Sequence, residues 1–442
     1  MIDGDTTMTD SSDQVAERTL RKIWRRIVPF IFVLYIVAYL DRANVAFAKL
    51  TMTADLRFSE AVFGFGAGLF FLGYFLLEIP GCLIVERWSA RRWITRILIS
   101  WGACTVLIGF VNTPVQFYLA RFLLGVAEAS FFPGIVVHLS HWFPERSRAR
   151  ALGGFITAVP VALALGAPVS GAILTVNWFG LSGWRWVFIL EGLPAILLGM
   201  VTLFYLTDRP RQATWLKPEE LSWLSAELES ERTRKLKDRQ ITIWAALKQR
   251  DVLLLAFALF FSNIGAVGYL LWLPTIIHEI SGLPAHFASA LSAFPFAAGI
   301  VSIVLASRSS DRRGERRLHA CVPMFLAGCL FALTSLPGQP FVVVLLWLCL
   351  TSAAKYAWPP SFWVLPTAAL GESAAAAAIG LINSIGNLGG FIGPTVVGSI
   401  LASNQPFSVA IVFLSACFFI GSALTFAVRD QTGQAKTREA AA

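Results

Sequence analysis

Seven acidic or basic side chains lie inside long apolar runs of this sequence: Asp41, Arg42, Glu78, Arg121, Glu128, Glu191 and Lys355. An ionisable group in such a run costs several kcal/mol unless it is paired or hydrated, so each one asks for a role. Asp41 and Arg42 are neighbours in the stretch Ala38-Tyr39-Leu40-Asp41-Arg42-Ala43-Asn44, and Arg121 precedes Glu128 by seven residues. Seven residues are two helical turns, which puts Arg121 and Glu128 on one face roughly 10 Å apart. At a rise of about 1.5 Å per residue, Asp41 lies about 22 Å along the first run. Arg121 lies about 10 Å into the fourth run, entered from the opposite side, so the two reach a comparable level. The chemistry open to such a set is anion capture coupled to proton exchange. Low dielectric favours a protonated carboxyl, a nearby guanidinium favours the carboxylate, and an anion that occupies the guanidinium changes the balance. On this reading Asp41 and Glu128 carry protons, Arg42 restrains Asp41, and Arg121 is shared between an anion and an acid. The competing reading is that Asp41 and Arg42 only neutralise each other and lock helices together. Glu78 is expected to pair structurally, close to Glu86. Glu191 either bonds between helices or joins the coupling, and Lys355 either supplies a second positive group or reaches for the interface.

The elements that hold these groups follow from composition. Of 442 residues, 56% are hydrophobic and 14% charged, with a mean hydropathy of +0.66, a balance foreign to soluble domains. A membrane span needs roughly 20 apolar residues, and a lone chain in lipid satisfies its backbone as helix. Loop chemistry and Gly/Pro punctuation place twelve spans near 27–50, 61–85, 93–112, 115–138, 150–175, 185–206, 251–276, 287–307, 318–336, 340–363, 374–402 and 406–428. The fold class expected is an all-α membrane protein. The net charge of +9 raises a nucleic-acid partner, but 30 of the 36 lysines and arginines fall in alternate loops and the two ends. That distribution reports orientation, with both termini and the central loop cytoplasmic, and no nucleic-acid partner is expected. The first run has no small-residue cleavage site and reads as an uncleaved span. The six cysteines lie in or beside apolar runs without metal-ligand spacing, so neither a metal site nor disulfides are expected.

The long hydrophilic stretch 207–250 divides six spans from six. The domains expected are a cytoplasmic tail 1–26, a six-helix bundle 27–206, a cytoplasmic linker 207–250 with an interfacial helix starting at Pro218-Glu219-Glu220, a second bundle 251–428, and a tail 429–442. The halves repeat. Cys82, Glu86, Arg87, Ser89, Arg91 and Arg92 after the second span are matched, 225 residues later, by Ser307, Asp311, Arg312, Gly314, Arg316 and Arg317 after the eighth. Gly166-Ala167-Pro168 is echoed by Ile392-Gly393-Pro394.

These features resemble the major facilitator superfamily, whose loop signature reads Gly-x3-Asp-Arg-x-Gly-x-Arg-Arg; the second copy departs from it at Ser307, and the first at Cys82, Glu86 and Ser89. Within that superfamily, "YLDR.N", "RFLLGVAEASFFPG" and "PPSFWVLPTA…INSIGNLGGFIGP" look like the anion:cation symporter family, closest to bacterial tartrate, phthalate and sugar-acid (hexonate) permeases. The resemblance covers about Ile23 to Val428. It implies two pseudo-symmetric six-helix bundles, alternating access, residence in the bacterial inner membrane, and import of a small organic anion with protons, the proton gradient serving as energy source with no cofactor. It also implies proton coupling at Asp41 and Glu128 and anion binding at Arg121, while Tyr39 and Tyr74 match tyrosines that contact substrate in sugar-acid permeases. A monomer is expected.

Further candidates for the substrate wall are Arg42, Asn263, Tyr269, Lys355, Trp363, Asn383 and Asn387. Glu86, Arg87, Arg91, Asp311, Arg312, Gly314 and Arg316 are expected to gate, with an acid at a helix end pairing across the bundle. The glycines of spans five and eleven read as rocking surfaces, and His138 and His141 as interfacial histidines. No Gly-x4-Gly-Lys-Ser/Thr motif and no nucleophile-base-orienter trio is present, which argues against ATP drive and against an enzyme. The alternative within transport is an exchanger or exporter of organic acids or drugs.

Overall fold

The computed structural model describes residues 4–87, 89–237, 249–366 and 372–429, and all its regular structure is helical. The first half comprises α1 (Gly4–Leu56), α2 (Glu60–Arg87), α3 (Ala90–Ile108), α4 (Pro114–Glu128), α5 (Phe131–Ser140), α6 (Glu145–Ile156), α7 (Ala158–Leu174) and α8 (Gly183–Tyr205). The linker holds α9 (Pro218–Lys237). The second half comprises α10 (Arg250–Ser281), α11 (Ala285–Leu291), α12 (Ala293–Arg313), α13 (Arg317–Leu333), α14 (Phe341–Ala357), α15 (Pro359–Phe362), α16 (Glu372–Ala402) and α17 (Phe407–Phe426).

Among the described residues ten helical stretches are long and apolar enough to cross a membrane. Two helices expected to span stand apart: α3 carries Arg91, Arg92 and Arg96 in its first two turns, and α13 is 17 residues long. Both are nonetheless packed within their halves, α3 against α4 and α8, α13 against α14 and α17.

One expected continuous span is broken at a place that matters. α4 stops at Glu128 and α5 resumes at Phe131, because Ser130 takes a left-handed backbone (φ 71°) and donates its hydroxyl to the carbonyl oxygens of Leu77 and Glu78 at 3.0 and 3.1 Å. Gly81 makes this possible: a β-carbon there would fall 1.8 Å from Ser130 Oγ.

The linker also differs from expectation. α1 starts at Gly4, so much of the expected tail extends the first helix. Arg18 bonds Glu219 and Glu220, and Lys22 bonds Glu220 at 2.7 Å, tying α9 to that extension. The apolar side of α9 is covered by protein, with Leu224 fully buried and Trp215 beside it stacked 5.2 Å from Trp142, so this helix docks on the first half where an interfacial one was expected.

The halves meet along α2 with α16, α7 with α11 and α12, and α1 with α10. At the end carrying the α1–α2 loop the approach is so close that a β-carbon on Gly64 would lie 2.3 Å from the Pro394 carbonyl oxygen. Lys49, fully buried, pairs there with Glu60 at 3.0 Å and donates to Thr275 at 3.2 Å, while Trp272 Nε1 donates to Glu60 at 3.3 Å. Ser289 Oγ adds a bond to the Ala167 carbonyl at 3.0 Å.

Candidate functional site

Between the halves lies a cavity of about 270 Å³. From the first half it is lined by Tyr35, Tyr39, Arg42, Phe70, Tyr74 and Arg121, and from the second by Asn263, Lys355, Tyr356, Trp363, Asn383 and Asn387 among others. Every residue expected at the substrate wall is therefore brought there except Tyr269. That tyrosine is fully buried inside the second half, where its hydroxyl donates to the Leu348 carbonyl at 2.8 Å.

Helix geometry decides how the acids and bases pair. Residues 41 and 42 are consecutive, so their side chains leave α1 about 100° apart. Arg42 points into the cavity, and its Nε donates to Glu128 Oε1 at 2.6 Å. Its guanidinium carbon lies 5.1 Å from the ring centres of both Tyr39 and Tyr74. Asp41 turns the other way, to α3, and accepts from Thr105 Oγ1 and Asn44 Nδ2, each at 2.6 Å. The expected restraint of Asp41 by Arg42 is thus corrected: Arg42 holds Glu128, and Asp41 is held by a hydroxyl and an amide.

Arg121 lines the same cavity and is almost fully buried. One terminal nitrogen donates to the Ala67 carbonyl at 3.3 Å, but its Nε and Nη1 meet no acceptor among the described residues. Lys355 does not snorkel. It is buried against the cavity, with its Nζ 3.3 Å from the Tyr356 hydroxyl and 4.4 Å from that ring's centre.

Glu78 reaches out of α2 to the opposite half, accepting from Asn383 Nδ2 and from Asn387 Nδ2, the latter at 3.1 Å. Glu191 accepts from Ser170 Oγ at 2.5 Å, a bond between α8 and α7. His138 is fully buried and neither ring nitrogen meets a hydrogen-bond partner among the described residues, so it is a core residue where an interfacial one was expected. The gating motifs tie loops within a half. Asp311 pairs with Arg316 of its own loop at 2.7 Å, Gly314 ends α12 at φ 67°, Arg312 is exposed, and the Arg91 backbone N–H donates to the Asp208 carboxylate at 2.8 Å. The pairing across the bundle expected of these acids is not made among the described residues, and the side chains of Glu86 and Arg87 lie outside them.

Tyr35 also lines the cavity and was not singled out from sequence although a signal was there: it precedes Tyr39 by one helical turn and shares its face. Tyr356 and Trp358 carried no such mark.

Two helical halves in a membrane-spanning chain, closed on each other at one end around a cavity lined by basic, amide and aromatic side chains, define a membrane transporter. The model of the Major Facilitator Superfamily matches residues 31–394, and the chain belongs to that family. It is 44% identical over 409 residues to an Agrobacterium vitis protein named "Putative tartrate transporter", covering 92% of this chain and 94% of that one. It is 37% identical over 420 residues to the "Quinolone resistance transporter" of Acinetobacter baumannii, covering 95% and 96%. Among solved structures, a bacterial homologue of the human lysosomal transporter Spinster, in an inward-facing and unoccupied conformation, superposes with a TM-score of 0.76 at 16% identity over 93% of this chain and 98% of that one. The D-xylose-proton symporter gives 0.72 at 16% over 92% and 98%. The chain is a multi-pass membrane transporter, of the inner membrane in bacteria, and not an enzyme.

Proposed function

We propose that this transporter imports a small hydroxylated organic anion, tartrate-like or sugar-acid-like, together with protons. The observation that carries this reading is the charge of the cavity: Arg42, Arg121 and Lys355 line it, and no acid is among its described lining residues. Arg121, with Nε and Nη1 unpartnered among the described residues, keeps guanidinium donors in reserve for a carboxylate. The similarity to relatives named for tartrate supports the same choice.

Coupling follows from the Arg42–Glu128 pair. A carboxylate arriving beside Arg121 also competes for Arg42, and Glu128, 1% exposed, then loses its counter-ion. An isolated buried carboxylate is neutralised by a proton rather than left charged. Asp41, bonded to Thr105, serves as the second proton site behind it. We further take the chain to cross the membrane twelve times, α3 and α13 included, with both termini cytoplasmic as the placement of basic residues argues. The closed end at Lys49 and Glu60 is then periplasmic, and the conformation inward-facing. No cofactor is needed, and a monomer suffices because the cavity is built within one chain.

The test is uptake of labelled tartrate and of a sugar acid into proteoliposomes under an inward pH gradient. Accumulation that collapses with the gradient, and that is lost in Asp41→Asn, supports the proposal; gradient-independent uptake overturns proton coupling. A second reading, export of an aromatic compound, is favoured by the rings of Tyr35, Phe70, Tyr74 and Trp363 around the cavity and by the quinolone-resistance relative. Extrusion of quinolone from everted vesicles without carboxylate competition would select it.

A further inference from the structure

We propose that Glu78 is a positioning residue that sets the hydrogen-bonding sense of the second half's cavity wall, an inference that rests on the anion-transport reading above. Glu78 stands on α2 and is 4% exposed. Its two carboxylate oxygens are divided between two amides of α16: Asn383 donates to Oε1, and Asn387 donates to Oε2 at 3.1 Å. Asn383 and Asn387 are four residues apart, so they share one helix face, and both line the cavity that Glu78 itself stands behind.

A carboxylate has no proton to give, so both amides must turn their NH2 groups to it. The two carbonyl oxygens are left without a donor from the described residues. A third amide is held the same way: Asn263 Nδ2, on α10, donates to the Gly386 carbonyl at 2.9 Å. Three asparagines held through their NH2 groups thus line the second-half wall, opposite Arg42 and Arg121, which can only donate. The first-half wall meets a carboxylate with guanidinium donors, while the second-half wall, beside the Lys355 ammonium, offers amide acceptors to hydroxyl groups. A ligand with both groups satisfies both walls. The same skeleton without hydroxyls leaves buried acceptors desolvated and unpaired, which is how a hydrogen-bonding site rejects an analogue that lacks the polar group.

Glutamine at this position would spoil the arrangement for a stoichiometric reason. Its amide offers one oxygen and one NH2, so it can hold only one asparagine in the present orientation and draws the oxygen of the other toward itself. Moving the carboxylate across the interface restores the acceptors at unchanged total charge: in the double variant Glu78→Gln/Asn387→Asp, the new carboxylate accepts from the glutamine and keeps an oxygen for the cavity.

The experiment is calorimetric titration of the purified full chain with two pairs of acids that differ only in hydroxyl groups, tartrate against succinate and galactarate against adipate. Wild type is expected to prefer the hydroxylated member. Glu78→Gln is expected to lower that preference about three- to tenfold, the worth of one or two hydrogen bonds, with the affinity for the deoxygenated acid changed less than about twofold. The double variant is expected to recover the preference. A purely structural Glu78 would weaken both members of a pair alike and give no recovery, and either result overturns the assignment. Carboxylate binding by wild type with an unchanged preference in Glu78→Gln overturns the role of Glu78 alone, whereas failure of wild type to bind any of the four acids overturns the anion reading and this inference with it. Where the single variant does not fold, the double variant decides: retained preference supports the assignment, and lost preference overturns it.

Discussion

The two halves descend from one repeated pattern, yet they divide the chemistry unequally. The first half concentrates ionisable groups, with Asp41, Arg42, Arg121 and Glu128 each almost fully buried or bonded to another acid, base or hydroxyl. The second half answers with three amides, aromatic rings and one lysine. The difference teaches that opposite charges can be buried only where each has its partner at hand, so a set of exchangeable ion pairs belongs inside one rigid bundle. The opposite bundle can then rock past it while presenting neutral groups, which lose little when contacts change. Among the described residues only Glu78 sends a buried carboxylate across the divide, and it meets amides rather than a cation.

The strongest way to break this comparison is at the ionisable groups of the first half. Arg121→Gln should weaken carboxylate binding by roughly 2–3 kcal/mol, about 30- to 150-fold, and Arg121→Lys should not restore it because a point charge lacks the guanidinium fork. Titration calorimetry reads both. Glu128→Gln removes the acid partner of Arg42, and gradient-driven accumulation should fall at least about tenfold while exchange of internal for external anion persists; loss of exchange as well would assign Glu128 to binding. A change between the halves comes next. Gly64→Val places side-chain atoms where even a β-carbon lies 2.3 Å from the Pro394 carbonyl. Overpacking of that kind costs about 1–3 kcal/mol, so the closed end should open and a Thr275→Cys reporter should label faster from that end.

The second half should respond more gently. Lys355→Met is expected to weaken anion binding only about three- to fivefold, since its ammonium stands against the Tyr356 ring rather than presenting a fork. An effect as large as that of Arg121→Gln would abolish the division of labour. The smallest effect is outside the membrane. Burial pushes the Glu220 carboxyl up, but the bonds from Lys22, from the Lys217 backbone and from Arg18 outweigh it and hold the group below the usual value of 4.5. A lowered value in the folded state means that docking of α9 is supported above the ordinary glutamate range and loses that support as pH falls through the lowered value. Amide hydrogen exchange across 218–237 should therefore quicken in Glu220→Gln at neutral pH, and in wild type only in acid.

Much of this was legible in the chain. Apolar run lengths foretold helices because backbone groups in lipid have no other partner, and the deep acids and bases stood out against their surroundings. Arg121 and Glu128 reached one cavity neighbourhood from seven-residue spacing alone. Pairing was less legible. Adjacency in sequence suggested Asp41 with Arg42, whereas a helix turns consecutive side chains apart and gave Arg42 to Glu128. Lys49, at the end of the first apolar run, carries no sequence mark of its pairing, and only the approach of α10 turned it into a buried contact with Glu60 and Thr275.

By itself the sequence determined that the chain is helical, that it lives in lipid, that it has two related halves, and which few residues are too polar for their surroundings. Those properties depend on composition and short-range periodicity, which one chain carries without reference to its folded neighbours. The tertiary structure alone decided which acid each arginine holds, that α4 breaks just after Glu128, that Glu78 faces two asparagines of the other half, and which end is shut. Those outcomes depend on distances of a few ångströms between helices far apart in sequence, where one glycine or one hydroxyl, such as Gly81 beneath Ser130, settles what can touch.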